Sequence, residues 1–360
     1  MKVLHVINSL IAGGAEKLLV DTAIKFHKIG IKIDVLLLQK NESPFLKKLE
    51  EYPEINILSL STSGSLYNPI FVFKLKKIMK KYEVIHVHLF PSLYWVSLAK
   101  IISSENHKLI YTEHNTTNRR RNIPLLKFTD RILYKSYNKI ISISDSVDTS
   151  LKKHLGKKFN NVTKIYNGID LKEINNAKKY TKGELNIPED SKVIIQVSSF
   201  TPQKNQETLI NSLKHLPDNV YLLLVGNGPL KLKNEALSKE LNLNNRVLFL
   251  GVRNDVPRLL KSVDAVVLSS HFEGLSLSSV EGLASGKPFL ASNVPGLSEV
   301  VLDYGILFEN NDSKDLGNKL ISVFADKDYA KEVATKCKIR AKVFDINNMI
   351  SQYSELYKTL

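Results

Sequence analysis

HFEGLSLSSVEGLASGKP, from His271 to Pro288, carries two carboxylates, Glu273 and Glu281, with seven residues between them. A helix from about Ser276 to Ser285 would put Glu273 on the loop before its N-terminus and Glu281 inside its second turn, so both face one ligand from different heights. The first turn of a helix has N–H groups without intrahelical partners and the positive end of the macrodipole. Gly274, Leu275, Ser276 and Leu277, which lead into it, therefore form a seat for a phosphate. Both carboxylates are then placed to accept from hydroxyl groups of that ligand. Two glutamates eight positions apart also arise by chance in a chain with 36 acidic residues, so the neighbouring sequence has to carry the weight. The strand-like DAVVLSS precedes the pair and the apolar PFLAS follows a Ser-Gly-Lys-Pro turn. That places the motif at the carboxyl end of a parallel strand, where open α/β sheets bind ligands.

Working outward, apolar runs alternate with helical-period segments along the whole chain. KVLHVI, IKIDVLLL, INILSL, VIHVH, KLIYTEH, KIISIS and VTKIY form one series, and KVIIQVSSF, VYLLLVG, RVLFLG, AVVLSS, PFLAS and GILF a second. Repeated βα units predict parallel sheets with helices on both faces, and 360 residues exceed what one core usually organises. We expect two Rossmann-like domains, residues 1–170 and 171–343, with linker chemistry from about Asn167 to Ser191. Residues 344–360 follow as an amphipathic helix, with Ile346, Met349, Ile350, Tyr353 and Tyr357 at helical spacing.

Charge is unevenly spread. Of the net +15, residues 1–170 hold 27 basic and 14 acidic side chains, or +13. This half is expected to meet something anionic, a membrane surface or a phosphorylated lipid. Nucleic acid is disfavoured, since no recognisable module or aromatic-basic interleaving is present. The single cysteine, Cys337, allows no intrachain disulfide and suits a reducing compartment. MKVLHVINSL reads as a first strand rather than a signal peptide, and no apolar run reaches the length of a membrane span. The expected location is cytoplasmic, peripheral at the inner face of the membrane.

Several loops carry candidate chemistry. Gly13 and Gly14 follow the first strand and open a helix, which lets backbone approach a ligand closely. VGNGPL brings Gly226 and Gly228 to a strand end, with Pro229 at a helix start, and GVRNDVPRLL places Arg253 and Asn254 on the next such loop. His86 and His88 in HVHLF are assigned to opposite faces of a strand, with at least one structural, and His114 ends a strand facing a polar loop. Arg119 to Arg121 form either a solvated face or a clamp for an anionic acceptor. LKKIMKKY, Lys152, Lys153, Lys157 and Lys158 add basic surface. No D-x-D ends a strand and no His/Cys set has metal spacing, so no metal site is expected.

The His271–Pro288 segment resembles the E-x7-E signature of retaining glycosyltransferases of the GT-B fold, family 4. VGNGPL resembles that family's V-G-x-G-P segment, and VSSFTPQKN its G-R-L-x-x-x-K-N segment. Lys204 matches the lysine, while Ser199 stands where the family has arginine. The resemblance implies two facing Rossmann-like domains with the site in the cleft and the terminal helix crossing back to the first. It implies a retaining, metal-independent transferase without a separate cofactor. The donor would be a nucleotide sugar, UDP-linked, in the C-terminal domain, and the acceptor a glycan or lipid-linked oligosaccharide of bacterial-type surface polysaccharide synthesis in the N-terminal one. Glu273 would hold donor sugar hydroxyls, Glu281 the ribose, Lys204 the diphosphate, Gly226 and Gly228 the nucleotide, and Gly13 and Gly14 the cleft floor. Arg253 and Asn254 lie where the family reads the base, and His114 matches its acceptor-side histidine. Ser199 supplies no charge, which leaves Arg253 as the nearest substitute cation by loop position. The alternatives are a nucleotide-sugar 2-epimerase of the same fold and a catalytically silent partner subunit.

Overall fold

A computed structural model describes residues 1–11, 13–116, 121, 123–156 and 159–360. The chain forms two compact units, Met1–Gly168 with Ile346–Leu360, and Ile169–Asp345.

In the first unit the apolar runs become β1 (Lys2–Ile7), β2 (Lys32–Leu37), β3 (Ile57–Ser59), β4 (Val84–His88), β5 (Lys108–Glu113), β6 (Lys139–Ser142) and β7 (Val162–Lys164). They form one parallel sheet in the order β3-β2-β1-β4-β5-β6-β7. In its register Val3 sits between Ile33 and Val84. Helices cover both faces, so the central strands are buried throughout and read as continuous hydrophobic runs rather than alternating ones. Leu4, Val6, Ile85, Val87, Leu109 and Tyr111 belong to its core.

The second unit repeats the plan with β8 (Lys192–Val197), β9 (Val220–Val225), β10 (Val247–Gly251), β11 (Ala265–Leu268), β12 (Phe289–Ser292) and β13 (Ile306–Phe308), ordered β10-β9-β8-β11-β12-β13. Ile194, Leu222, Leu224, Val267, Leu290 and Phe308 fill its core. Strand order reverses at β1/β4 in one sheet and at β8/β11 in the other. The carboxyl ends beside those reversals are where such sheets take ligands. This is the GT-B architecture.

Two details differ from the sequence reading. The stretch from Asn167 to Ser191 is not a bare linker. Asp170 caps a helix, Leu171–Asn176, by accepting from the Lys172 amide at 3.0 Å. Tyr180 then anchors the following run, with its amide on Ser262 at 2.7 Å and its ring 3.8 Å beneath the Arg258 guanidinium. The terminal helix starts at Ile346 rather than 344, because the Phe344 carbonyl accepts from Ile169 at 2.9 Å inside the second unit. Its apolar face of Met349, Ile350, Tyr353 and Tyr357 is buried in the first unit, with Tyr357 against Phe26.

Candidate active site

In the second unit the loops after β8 and β11 bring Lys204 and Glu273 together. The helix expected from Ser276 to Ser285 runs Leu277–Ala284, and Glu273 lies on the loop before it. Lys204 Nζ donates to Glu273 Oε1 at 2.5 Å, Ser270 Oγ donates to the same oxygen at 2.7 Å, and Gln203 Nε2 approaches Oε2 at 3.4 Å. Glu273 is only 4% exposed. The pair is therefore a hydrogen-bonded ion pair between a buried carboxylate and a partly buried ammonium. Among the described residues, the amides of Gly274, Leu275, Ser276 and Leu277 meet no acceptor. They lie at the positive end of the following helix, a geometry that suits an oxyanion. Glu281 is buried in the second turn of that helix.

Four polar groups that the sequence reading missed fix this corner. Gln196, buried inside β8, donates to the Lys204 carbonyl at 3.0 Å and accepts from Ser269 Oγ at 2.8 Å. Gln206 donates to the Ser199 carbonyl at 2.9 Å, and Ser270 holds Glu273 as described. A glutamine in the middle of IIQVS was the available signal, since a buried strand has no use for an unsatisfied amide.

Gly226 and Gly228 meet a packing need that the sequence reading did not include. A β-carbon on Gly226 would lie 2.1 Å from the Ser198 carbonyl oxygen, and one on Gly228 2.6 Å from that of Phe200. These glycines press the β9 loop against the backbone of the β8 loop, and the Phe200 amide donates to the Asn227 carbonyl at 3.0 Å. Their absent side chains thus shape the ledge that carries Ser199, which is itself exposed.

Arg253 is not a spare cation. Its guanidinium grips Asp255 with two bonds, Nε at 2.7 Å and Nη2 at 2.6 Å, and the Tyr180 hydroxyl donates to the same carboxylate. The guanidinium holds the Asp255 carboxyl well below the usual carboxylate range, and Asp255 in turn raises Arg253. The cation expected to replace the arginine missing at Ser199 is thus held in an ion pair with Asp255 along one edge of its guanidinium.

In the first unit Gly13 is the N-cap residue and Gly14 the first residue of the helix Gly14–Lys28. The Glu16 carboxylate lies over Gly13, 2.2 Å from where a β-carbon would stand, and burial raises its pKa. His114 follows β5 directly and is partly buried, and burial lowers its pKa to about 4. His86 and His88, assigned to opposite faces, share one face with ring centroids 4.4 Å apart, as the two-residue period of a strand requires. Arg121 is no acceptor clamp. It is locked at 2.8 Å onto Glu113, which also accepts from Tyr134 at 3.0 Å. Arg119, Arg120, Lys157 and Lys158 lie outside the described residues.

This arrangement offers a cation, a carboxylate and free amides at one sheet's carboxyl ends, and a histidine and a glycine turn at the other's. The model for Glycosyltransferase Family 4 matches residues 12–173, and that for Glycosyl transferases group 1 matches residues 178–343. The chain belongs to glycosyltransferase family 4. Among proteins of known activity, this family 4 chain is 28% identical to the N-acetylgalactosamine-N,N'-diacetylbacillosaminyl-diphospho-undecaprenol 4-alpha-N-acetylgalactosaminyltransferase of Campylobacter jejuni, over 94% of both chains. It is 26% identical to the UDP-Gal:alpha-D-GlcNAc-diphosphoundecaprenol alpha-1,3-galactosyltransferase of Escherichia coli, over 91% of this chain and 89% of the relative. Among solved structures, Anabaena HepE in complex with UDP superposes with a TM-score of 0.86 at 25% identity, covering 100% of both chains. No helix of the described residues is long and apolar enough to cross a membrane.

Proposed function

We propose that this family 4 chain is a retaining, metal-independent glycosyltransferase that moves a sugar from a UDP-linked donor to a lipid-linked glycan at the inner membrane face. The observation that carries the reading is the Lys204–Glu273 pair at 2.5 Å, set beside the free amides that precede the Leu277–Ala284 helix. Lys204 and those amides take the diphosphate, Glu273 the sugar hydroxyls and Glu281 the ribose. Positive charge supplied this way stabilises the departing diphosphate without a divalent ion. The bond from the sugar's anomeric carbon to the β-phosphate oxygen breaks and a bond to the acceptor oxygen forms on the same face. The acceptor proton passes to the departing phosphate oxygen. The UDP complex of HepE supports the nucleotide, and the diphospho-undecaprenol names of the two enzymes support the acceptor class.

The first unit is the acceptor side, with His114 and the Gly13–Gly14 turn as its contacts. The outward face of its helix Pro124–Tyr134 supports membrane contact. Leu125, Phe128 and Ile132 stand at spacings of three and four and are 73%, 63% and 46% exposed. Lys127, Arg131 and Lys135 run beside them, and the helix's single acid, Asp130, is buried against His154. An apolar stripe whose exposed charged neighbours on this helix are basic suits an anionic lipid interface.

A donor screen by thermal shift, followed by transfer to a polyprenyl-diphosphate-linked sugar with and without EDTA, tests the reading. Stabilisation by one uridine nucleotide sugar and EDTA-resistant transfer are expected. Loss of transfer in chelator, restored by magnesium or manganese, overturns metal independence. Conversion of the donor without any acceptor overturns transferase activity.

A further inference from the structure

An unbroken hydrogen-bonded line runs from His114 into the interior of the first unit. His114 Nε2 meets His88 Nδ1 at 3.2 Å, His88 Nε2 meets His5 Nδ1 at 3.1 Å, and His5 Nε2 meets the Tyr357 hydroxyl at 3.3 Å. That hydroxyl also meets His86 Nδ1 at 2.6 Å, and His86 Nε2 meets Thr112 Oγ1 at 2.7 Å. Four elements contribute: β1, β4, β5 and the terminal helix. His5, His86, His88 and Tyr357 are all buried.

Burial lowers the His5 pKa to about 3 and those of His86 and His88 well below the ordinary value, so these rings are neutral at physiological pH. A neutral imidazole has one N–H and one lone pair. Each ring in the line must therefore accept on one side and donate on the other, and the polarity of one bond fixes the next. Two uniform arrangements satisfy every contact. In one, His114 Nε2–H donates inward and Nδ1 is a lone pair; in the other, protons point outward and Nδ1 carries the hydrogen. His114 Nδ1 meets no described partner, so it is the end of the line available for chemistry. His5, His86 and His88 have ligand atoms within 4.8 Å of one another, the spacing of a loose metal cluster. All six of their ring nitrogens already face hydrogen-bond partners, which leaves no convergent lone pairs.

We infer that His88, His5 and Tyr357 are positioning residues that hold His114 in a single tautomer, coupled through this line to the terminal helix. Its catalytic value rests on His114 being the acceptor-side histidine, whereas the tautomer itself can be read without any substrate.

The test is ¹⁵N-histidine spectroscopy of the full-length chain near pH 7.5. The two ring nitrogens of His114 should appear separately, one protonated and one bare. Tyr357→Phe removes a single oxygen and should draw the two signals toward a common averaged position, as should His88→Phe. His114 nitrogens that are already averaged in the wild type, or unchanged in Tyr357→Phe and His88→Phe proteins with wild-type circular dichroism, would overturn the inference. If Tyr357→Phe does not fold, His5→Asn interrupts the same line and is read in the same way. Zinc at micromolar concentration that shifts the His5, His86 and His88 nitrogens together would also overturn it. An altered tautomer with unchanged transfer rate would instead count against the role given to His114.

Discussion

Lys204 and Glu273, 69 residues apart in sequence, are joined at 2.5 Å between the loops that follow β8 and β11. A diphosphate arriving at Lys204 must share its donors with Glu273, and sugar hydroxyls arriving at Glu273 must share its acceptors with Lys204 and Ser270. On the proposed reading, one coupled pair would therefore sense both halves of a nucleotide sugar.

Removing the cation should separate catalysis from binding. Lys204→Ala is expected to lower turnover about 10²-fold or more, the scale of losing one preorganised donor, with a smaller loss of donor affinity. It should also lower stability by about 3–5 kcal/mol, because Glu273 is left as a buried charge without its partner. Glu273→Gln keeps the Ser270 bond and should fold better while losing turnover. Calorimetric donor titration, kcat and thermal melts check this. Wild-type turnover in a folded Lys204→Ala protein would show that the diphosphate site lies elsewhere.

The departure at Ser199 leads to a second expectation. Because Asp255 engages one whole edge of the Arg253 guanidinium through Nε and Nη2, Arg253→Ala should change turnover by no more than about twofold. Ser199→Arg should then tighten donor binding, since no other described arginine fills that role at the ledge formed by Gly226 and Gly228. A turnover loss in Arg253→Ala as large as that in Lys204→Ala would reverse both expectations and make Arg253 a ligand of the leaving group.

The fold was legible because parallel strands covered on both faces are continuous apolar runs, and KVLHVI or VYLLLV admit few other readings. Turn glycines and the helix start after Glu273 were legible for the same local reasons. The Lys204–Glu273 pair was not, because the contact depends on which two loops lie side by side at the β8/β11 reversal and nothing near either residue encodes it. Gln196 was passed over although it interrupts an apolar run, and Gln206 because it lies in the polar stretch KNQE, where one more polar residue gives no signal. His86 and His88 were misassigned although the strand period alone puts them on one face. The engagement of His86 with Tyr357, by contrast, depends on where a helix more than 250 residues later docks.

Membrane contact should depend on the apolar stripe as well as on charge. Leu125→Ser with Phe128→Ser is expected to reduce sedimentation with anionic liposomes severalfold at low salt. Raising salt should weaken the wild type, since each well-placed basic residue contributes about 1 kcal/mol near such a surface. Neutral vesicles should retain little of either protein. Equal binding to neutral and anionic vesicles, or identical sedimentation of wild type and double variant, would remove this helix from the membrane account.

The buried histidines should leave a mark on acid stability. His5 titrates at about 3 and His114 at about 4 in the folded chain, while an unfolded histidine titrates near 6.5. Between those values the unfolded state holds more protons than the folded one, so stability rises with pH across the window and falls as pH drops below about 6.5. Each such histidine adds at most about 1.4 kcal/mol per pH unit to that slope, and His86 and His88, lowered in the same direction, add to it. Denaturant unfolding at pH 7.5, 6.5, 5.5 and 4.5 should therefore show a steep loss that begins at histidine rather than carboxylate pH. His5→Asn removes one titrating group and should flatten the slope between pH 6 and 5 by close to one proton's worth. It should also lower stability at pH 7.5, where the ring's two hydrogen bonds are intact in the wild type. An unchanged slope in that variant would mean that His5 takes up no proton on unfolding, and that the acid sensitivity belongs to the carboxylates instead.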